Sequence, residues 1–82
     1  MFFVYIIECR DDSLYTGYTT DLGRRINEHE SCDKKSAKYV RTKGFKQLLY
    51  SEELATLSLA LKREAEIKKF TRSKKLALIN KK

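Results

Sequence analysis

Phe2-Phe3-Val4-Tyr5-Ile6-Ile7-Glu8-Cys9, then Arg10-Asp11-Asp12-Ser13, then Leu14-Tyr15-Thr16-Gly17-Tyr18-Thr19 is the stretch on which the fold turns. β-Branched and aromatic side chains dominate both outer runs, and Asp11-Asp12-Ser13 between them is a turn signal, so the pair reads as a β-hairpin. Tyr5 and Tyr15 stand one on each strand, and their relative facing depends on the connection. A shorter connection that pairs Cys9 with Leu14 sets them on opposite faces; a longer one that pairs Cys9 with Tyr15 sets them on the same face. The Asn-Gly or Asp-Gly signal of a two-residue turn is missing, and local rules leave both registers open. Gly17 lies two residues beyond Tyr15 on the same side of its strand, where a glycine often marks close approach by a ligand or another backbone.

Beyond the hairpin, Thr20 or Asp21 can cap a helix running to about Glu30. Residues 31–44 are mostly polar, with a short helix expected around Ala37 to Arg41. Phe45 to Ser51 reads as a third strand centred on Leu48-Leu49-Tyr50. A long helix is expected from about Thr56 to Phe70, and Ser73 can cap a last short helix carrying Leu76, Leu78 and Ile79. The order β-β-α-(α)-β-α-α makes one α+β domain over residues 1–82: a three-stranded, mainly antiparallel sheet flanked by helices.

Size and composition agree with that. A chain of 82 residues buries only about 60% of its unfolded surface, so the core must be small. An apolar content of 41% with nine aromatic residues suffices for a globular fold. There is no proline and only three glycines, hence no linker or low-complexity segment. The apolar N-terminal run breaks at Glu8 and has no basic leader, which argues against a signal peptide or a membrane span. Cys9 falls in the strand pattern and is expected in the core. Cys32 lies in a polar stretch with no second cysteine nearby to suggest zinc. Two thiols without a secretory signal read as reduced residues of a cytoplasmic protein.

Charge is unevenly spread. Residues 1–33 carry three basic and seven acidic side chains, a net of −4, whereas residues 34–82 carry fifteen and four, a net of +11. The asymmetry points to a polyanionic partner, and a membrane surface fits less well because no basic segment pairs with a continuous apolar face.

The sharper signal is polar side chains on apolar helix faces. Advancing about 100° per residue from Leu57 sets Glu64 amid Ala60, Leu61 and Ile67. A carboxylate there is desolvated, which costs several kcal/mol unless it is ion-paired or binds metal. In the first helix Leu22 and Ile26 define the apolar side, and Arg25 and His29 share it at i, i+4 spacing, so both can reach one point. Arg24, Asn27, Glu28 and Glu30 point elsewhere by the same count. An arginine suits a phosphate and the added charge of its transition state. A lone glutamate suits Mg²⁺, which keeps most of its waters. Tyrosine and histidine can orient or deprotonate water. Together with a basic surface, these residue types describe metal-assisted phosphodiester hydrolysis. The alternative is a structural domain held by a buried pair such as Arg25–Glu64.

Val4-Tyr5-Ile6, then Tyr15-Thr16-Gly17 ten residues after Tyr5, Thr19, Arg25 eight residues beyond the glycine and His29 four later, resembles the GIY-YIG nuclease superfamily. Ala60-Leu61-Lys62-Arg63-Glu64 with Ile67-Lys68-Lys69 is similar to the helix bearing that family's metal-binding glutamate. The likeness covers essentially the whole chain and is nearest to the small single-domain bacterial members. It implies that both tyrosines share one site, which favours the longer connection in the hairpin. It implies that Glu64 holds one Mg²⁺, with Mn²⁺ as the substitute. Arg25 then stabilises the pentavalent phosphate and Tyr15 acts as general base or water-orienting group, with Tyr5 and His29 assisting by hydrogen bonding and proton transfer. Val4 stands where the first motif has glycine, and Thr16 where the second has isoleucine; neither position supplies chemistry. Some relatives place an asparagine near the site from the last helix, and Asn80 is the only candidate here. The implied function is an endonuclease acting on nucleic acid, DNA in the first instance, in repair or recombination. The competing expectation is a binding module that cleaves weakly by itself and works within a complex.

Overall fold

The hairpin forms, but through a tighter turn than either register expected from the sequence. The computed structural model describes residues 1–31 and 36–80. Strands β1 (Phe2–Cys9) and β2 (Leu14–Thr19) pair antiparallel with Ile7 opposite Tyr15 and Tyr5 opposite Gly17. The Cys9 N–H donates to the Ser13 carbonyl at 2.8 Å and the Asp12 N–H to the Cys9 carbonyl at 2.9 Å, closing a turn of Arg10, Asp11 and Asp12. Asp12 makes this turn by taking φ 68°, a left-handed conformation that aspartate tolerates better than most residues. The Asp11 carboxylate braces it, accepting from the Ser13 hydroxyl at 2.5 Å and the Ser13 N–H at 3.1 Å. These bonds hold Asp11 down to about 2.

Strand β3 (Phe45–Leu54) adds to the other side of β1, so the order is β2-β1-β3 and every pairing is antiparallel. It extends three residues beyond the Ser51 expected from sequence, because pairing continues to Leu54 opposite Phe2. The central strand β1 is covered on both faces, which explains its unbroken apolar run. On one face Val4 and Ile6 pack with Ala60 and Ile67; on the other Tyr5 and Ile7 pack with Val40, bordered by Leu22, Ile26 and Phe45. Cys9 is buried, as expected. Cys32 lies outside the described residues.

Four helices flank the sheet. Helix α1 (Leu22–Glu30) is capped by Asp21, whose side chain accepts from the Arg24 N–H. Helix α2 (Lys38–Lys43) ends at Gly44, whose φ of 84° and near contact with the Arg10 side chain exclude a larger residue. Helix α3 (Leu57–Lys68) is capped by Thr56, as the sequence indicates. Helix α4 (Arg72–Asn80) is capped by Thr71 rather than Ser73, since the Lys74 N–H bonds to the Thr71 hydroxyl. Arg63 fastens α3 to the sheet, donating to Glu52 at 2.6 Å and pairing with Glu66. No helix among the described residues is long and apolar enough to cross a membrane.

The helical count for α3 was centred wrongly. Ala60 and Ile67 are buried, whereas Leu57 and Leu61 are 42% and 43% exposed. The buried stripe is therefore rotated away from the two leucines that defined it, and Glu64 lies at its edge. Thr16 is buried with its hydroxyl unpaired among the described residues.

Candidate active site

The register of β1 and β2 places Tyr5, Tyr15 and Gly17 on the sheet face that packs against α1. The Tyr5 ring lies directly over Gly17: a Cβ at that position would stand 2.5 Å from the Tyr5 hydroxyl and 2.8 Å from Cζ. Glycine is required there because another side chain occupies the space. The hydroxyl is thereby carried to α1, where His29 is fully buried.

The Tyr5 Oη and His29 Nε2 atoms are 2.9 Å apart, and His29 Nδ1 lies 2.7 Å from Ser36 Oγ. Arg25 Nε donates to the same Tyr5 oxygen at 3.4 Å. Burial pushes the Tyr5 phenol up to about 12, and burial with the nearby Arg25 charge pushes His29 down to about 4. At neutral pH both groups are therefore uncharged. The tyrosine oxygen accepts from Arg25, and the neutral imidazole is held at Nε2 by the Tyr5 hydroxyl and at Nδ1 by the Ser36 hydroxyl, each of which can serve as donor or acceptor.

Arg25 also pairs with Glu28 at 3.0 Å, and its side chain is 23% exposed. Glu28 thus turns toward Arg25, contrary to the helical count; an i, i+3 neighbour can bend back along the helix. Tyr15 meets His29 edge-on with ring centroids 6.0 Å apart and stacks against Tyr39 at 5.7 Å. Neither Ser36 nor Tyr39 was visible in the sequence as part of a site. An aromatic residue in an otherwise polar stretch was the one available hint for Tyr39, and Ser36 gave none.

Glu64 approaches from α3. Its side chain is 16% exposed and pairs with Lys68 at 3.6 Å, one helical turn on. Its charge is among the smaller causes raising Tyr5, after burial, which places the carboxylate within electrostatic reach of the tyrosine hydroxyl. Arg25 and Glu64 each pair with a neighbour on their own helix, so the buried Arg25–Glu64 pair of the structural alternative is not formed. Asn80 is exposed at the end of α4.

Among the described residues, no three His, Cys, Asp or Glu side chains gather as a ready metal cage. The donor set at the site is one largely buried carboxylate whose ionic partner among the described residues is the half-exposed Lys68. That set fits a hard divalent cation that keeps its waters and takes further oxygens from a phosphate. It does not fit a structural zinc ion, which requires four protein ligands.

A family model described as the GIY-YIG catalytic domain matches residues 1–77. The chain is 53% identical over 76 residues to the UPF0213 protein HQ_3675A of Haloquadratum walsbyi, covering 93% of this chain and 83% of that one. It is 49% identical over 78 residues to the UPF0213 protein SSP2268 of Staphylococcus saprophyticus, covering 95% and 93%. The solution NMR structure of the UPF0213 protein BH0048 from Bacillus halodurans superposes with a TM-score of 0.62 at 44% identity, over 100% of this chain and 86% of that one.

Proposed function

The chain belongs to the GIY-YIG family and carries its nuclease-type domain, and from that premise we propose a metal-dependent endonuclease that hydrolyses phosphodiester bonds in DNA. The observation that carries the reading is the Tyr5 hydroxyl shared between Arg25 and His29, with Tyr15 edge-on to the same imidazole.

Each group has a role that its surroundings favour. Arg25 engages a phosphoryl oxygen and offsets charge that accumulates as the phosphorus becomes pentavalent. Tyr15 orients the attacking water or accepts its proton. Tyr5, held protonated, and His29, held neutral, form a donor–acceptor pair through which a proton can be passed without charging the core. Glu64 would hold Mg²⁺, or Mn²⁺ in its place; bound there, the ion supplies Lewis-acid polarisation of the phosphoryl oxygens. Branched or damaged DNA, as arises in repair and recombination, is the substrate class proposed.

A second reading is supported by the Arg25–Glu28 pair. An arginine already engaged by a carboxylate must exchange that partner for phosphate, which favours a binding module with weak cleavage of its own until a complex partner intervenes. Nicking of supercoiled and branched DNA with Mg²⁺, with Mn²⁺ or with chelator separates the two. Cleavage that appears only with metal supports the endonuclease. Salt-sensitive binding without cleavage in either metal supports the module. Absence of both contradicts both.

A further inference from the structure

The basic half of the chain is not uniformly free. Arg63 is bound to Glu52 and Glu66, Lys43 to Asp11 at 3.2 Å and Lys46 to Asp12 at 3.4 Å. Arg72 and Lys75 are different: among the described residues neither has a carboxylate partner. They lie one turn apart on α4 and, with Ser13 and Leu14, line a cleft of about 170 Å³ between the hairpin turn and the helix. Arg72 is fixed there by donating to the Asp12 carbonyl at 2.6 Å. Lys75 is partly buried, and burial together with the charge of Lys68 pulls its amine below the usual lysine range.

Holding Arg72 and Lys75 in one cleft without a carboxylate is unfavourable, and the arrangement is relieved by a bound anion. The acids of the hairpin turn do not supply it, since Asp11 and Asp12 are turned to Lys43 and Lys46. The cleft lies on the α3 side of the sheet: Leu14 packs with Val4 and Ile6, on the face opposite Tyr15, and the charge of Lys68, the ionic partner of Glu64, is felt at Lys75. We propose that this cleft is a second phosphate subsite, in which Arg72 and Lys75, flanked by Lys68, hold a backbone phosphate a few nucleotides from the bond to be cut. The assignment rests on the nucleic-acid reading above and names a surface on the α3 side, the side from which Glu64 approaches, along which DNA is held. A strand carries a charge about every 3.4 Å of helix axis, so DNA lying along the α3 side presents repeated phosphates to the cleft.

Salt-dependent binding of a labelled DNA duplex in chelator tests it, using the whole chain as wild type, Arg72→Gln/Lys75→Gln, and Lys62→Gln/Lys69→Gln. The last pair removes equal charge from exposed positions of α3 that do not line the cleft. The cleft variant is expected to bind more weakly, with a log–log salt slope shallower by roughly 1 per lost phosphate contact, while the control pair keeps the wild-type slope. Should the double variant fail to fold, Lys75→Gln alone breaks no bond in the structure and is expected to lower the slope by about 1. A wild-type slope in the cleft variant, or an equal loss in the control, overturns the subsite and leaves the nuclease reading standing. Failure of the wild type to bind DNA removes the nucleic-acid reading and the subsite with it.

Discussion

The Tyr5 hydroxyl and His29 Nε2 are hydrogen-bonded at 2.9 Å, joining a strand and a helix twenty-four residues apart in sequence. The bond engages one ring nitrogen, and the Ser36 hydroxyl engages the other. The fully buried imidazole is thus satisfied on both edges, and each partner that satisfies it comes from a different element of the site.

Tyr5→Phe keeps the ring and its packing but strands Nε2 in the core. Leaving one buried polar atom unpaired costs about 1–3 kcal/mol, which a urea denaturation curve resolves. Nicking is expected to fall while DNA binding persists, because the hydroxyl faces inward. A variant as stable as wild type would show that the hydrogen bond contributes nothing to the fold.

Stability against pH follows from the two shifted groups. His29 is pushed down from 6.5 to about 4, so below pH 6.5 the unfolded chain takes up a proton that the folded chain refuses, and stability falls as pH drops toward 4. Tyr5 is pushed up from 10.0 to about 12, so above pH 10 the unfolded chain releases a proton that the folded chain keeps, and stability falls again. Thermal melts across pH 4–11 are expected to show a plateau between about 6.5 and 10. Acid carboxylates also contribute below it, so the diagnostic comparison is His29→Gln, whose acid limb should be shallower than that of wild type.

Gly17→Ala inserts a methyl group against the Tyr5 hydroxyl and ring. The expected cost is about 1–3 kcal/mol, with reduced nicking as the tyrosine is displaced from His29. The nearest clash is with the hydroxyl itself, so Gly17→Ala combined with Tyr5→Phe should destabilise by less than the two changes summed. Strict additivity in that double-mutant cycle would mean the two positions do not touch.

Arg25 and His29 were legible because α1 is short and its two apolar anchors, Leu22 and Ile26, do face the sheet. Glu64 was found by the same count for a less secure reason: Leu57 and Leu61 were taken as anchors, yet both are exposed, and Ala60 and Ile67 set the buried stripe. Periodicity gives the angle between residues of a helix, but the sheet beneath decides which angle is inward. The shared face of Tyr5 and Tyr15 was not legible from local rules, since it depends on Asp12 taking a left-handed conformation that no Asp-Gly or Asn-Gly pair announces. Ser36 was invisible for a related reason. Its hydroxyl matters only because the chain returns to α1, a relationship of tertiary structure rather than of sequence spacing.

The central claim is that Glu64 supplies the metal site of a phosphodiesterase. Single-turnover nicking of supercoiled DNA in Mg²⁺ by wild type and Glu64→Gln, with DNA affinity measured on the same preparations, tests it most directly. Glutamine keeps the side-chain shape and removes the charge proposed to hold the ion. The account predicts a rate lower by on the order of a hundredfold or more, several kcal/mol of lost electrostatic stabilisation, with DNA bound at least as tightly. Nicking by Glu64→Gln at the wild-type rate would contradict it.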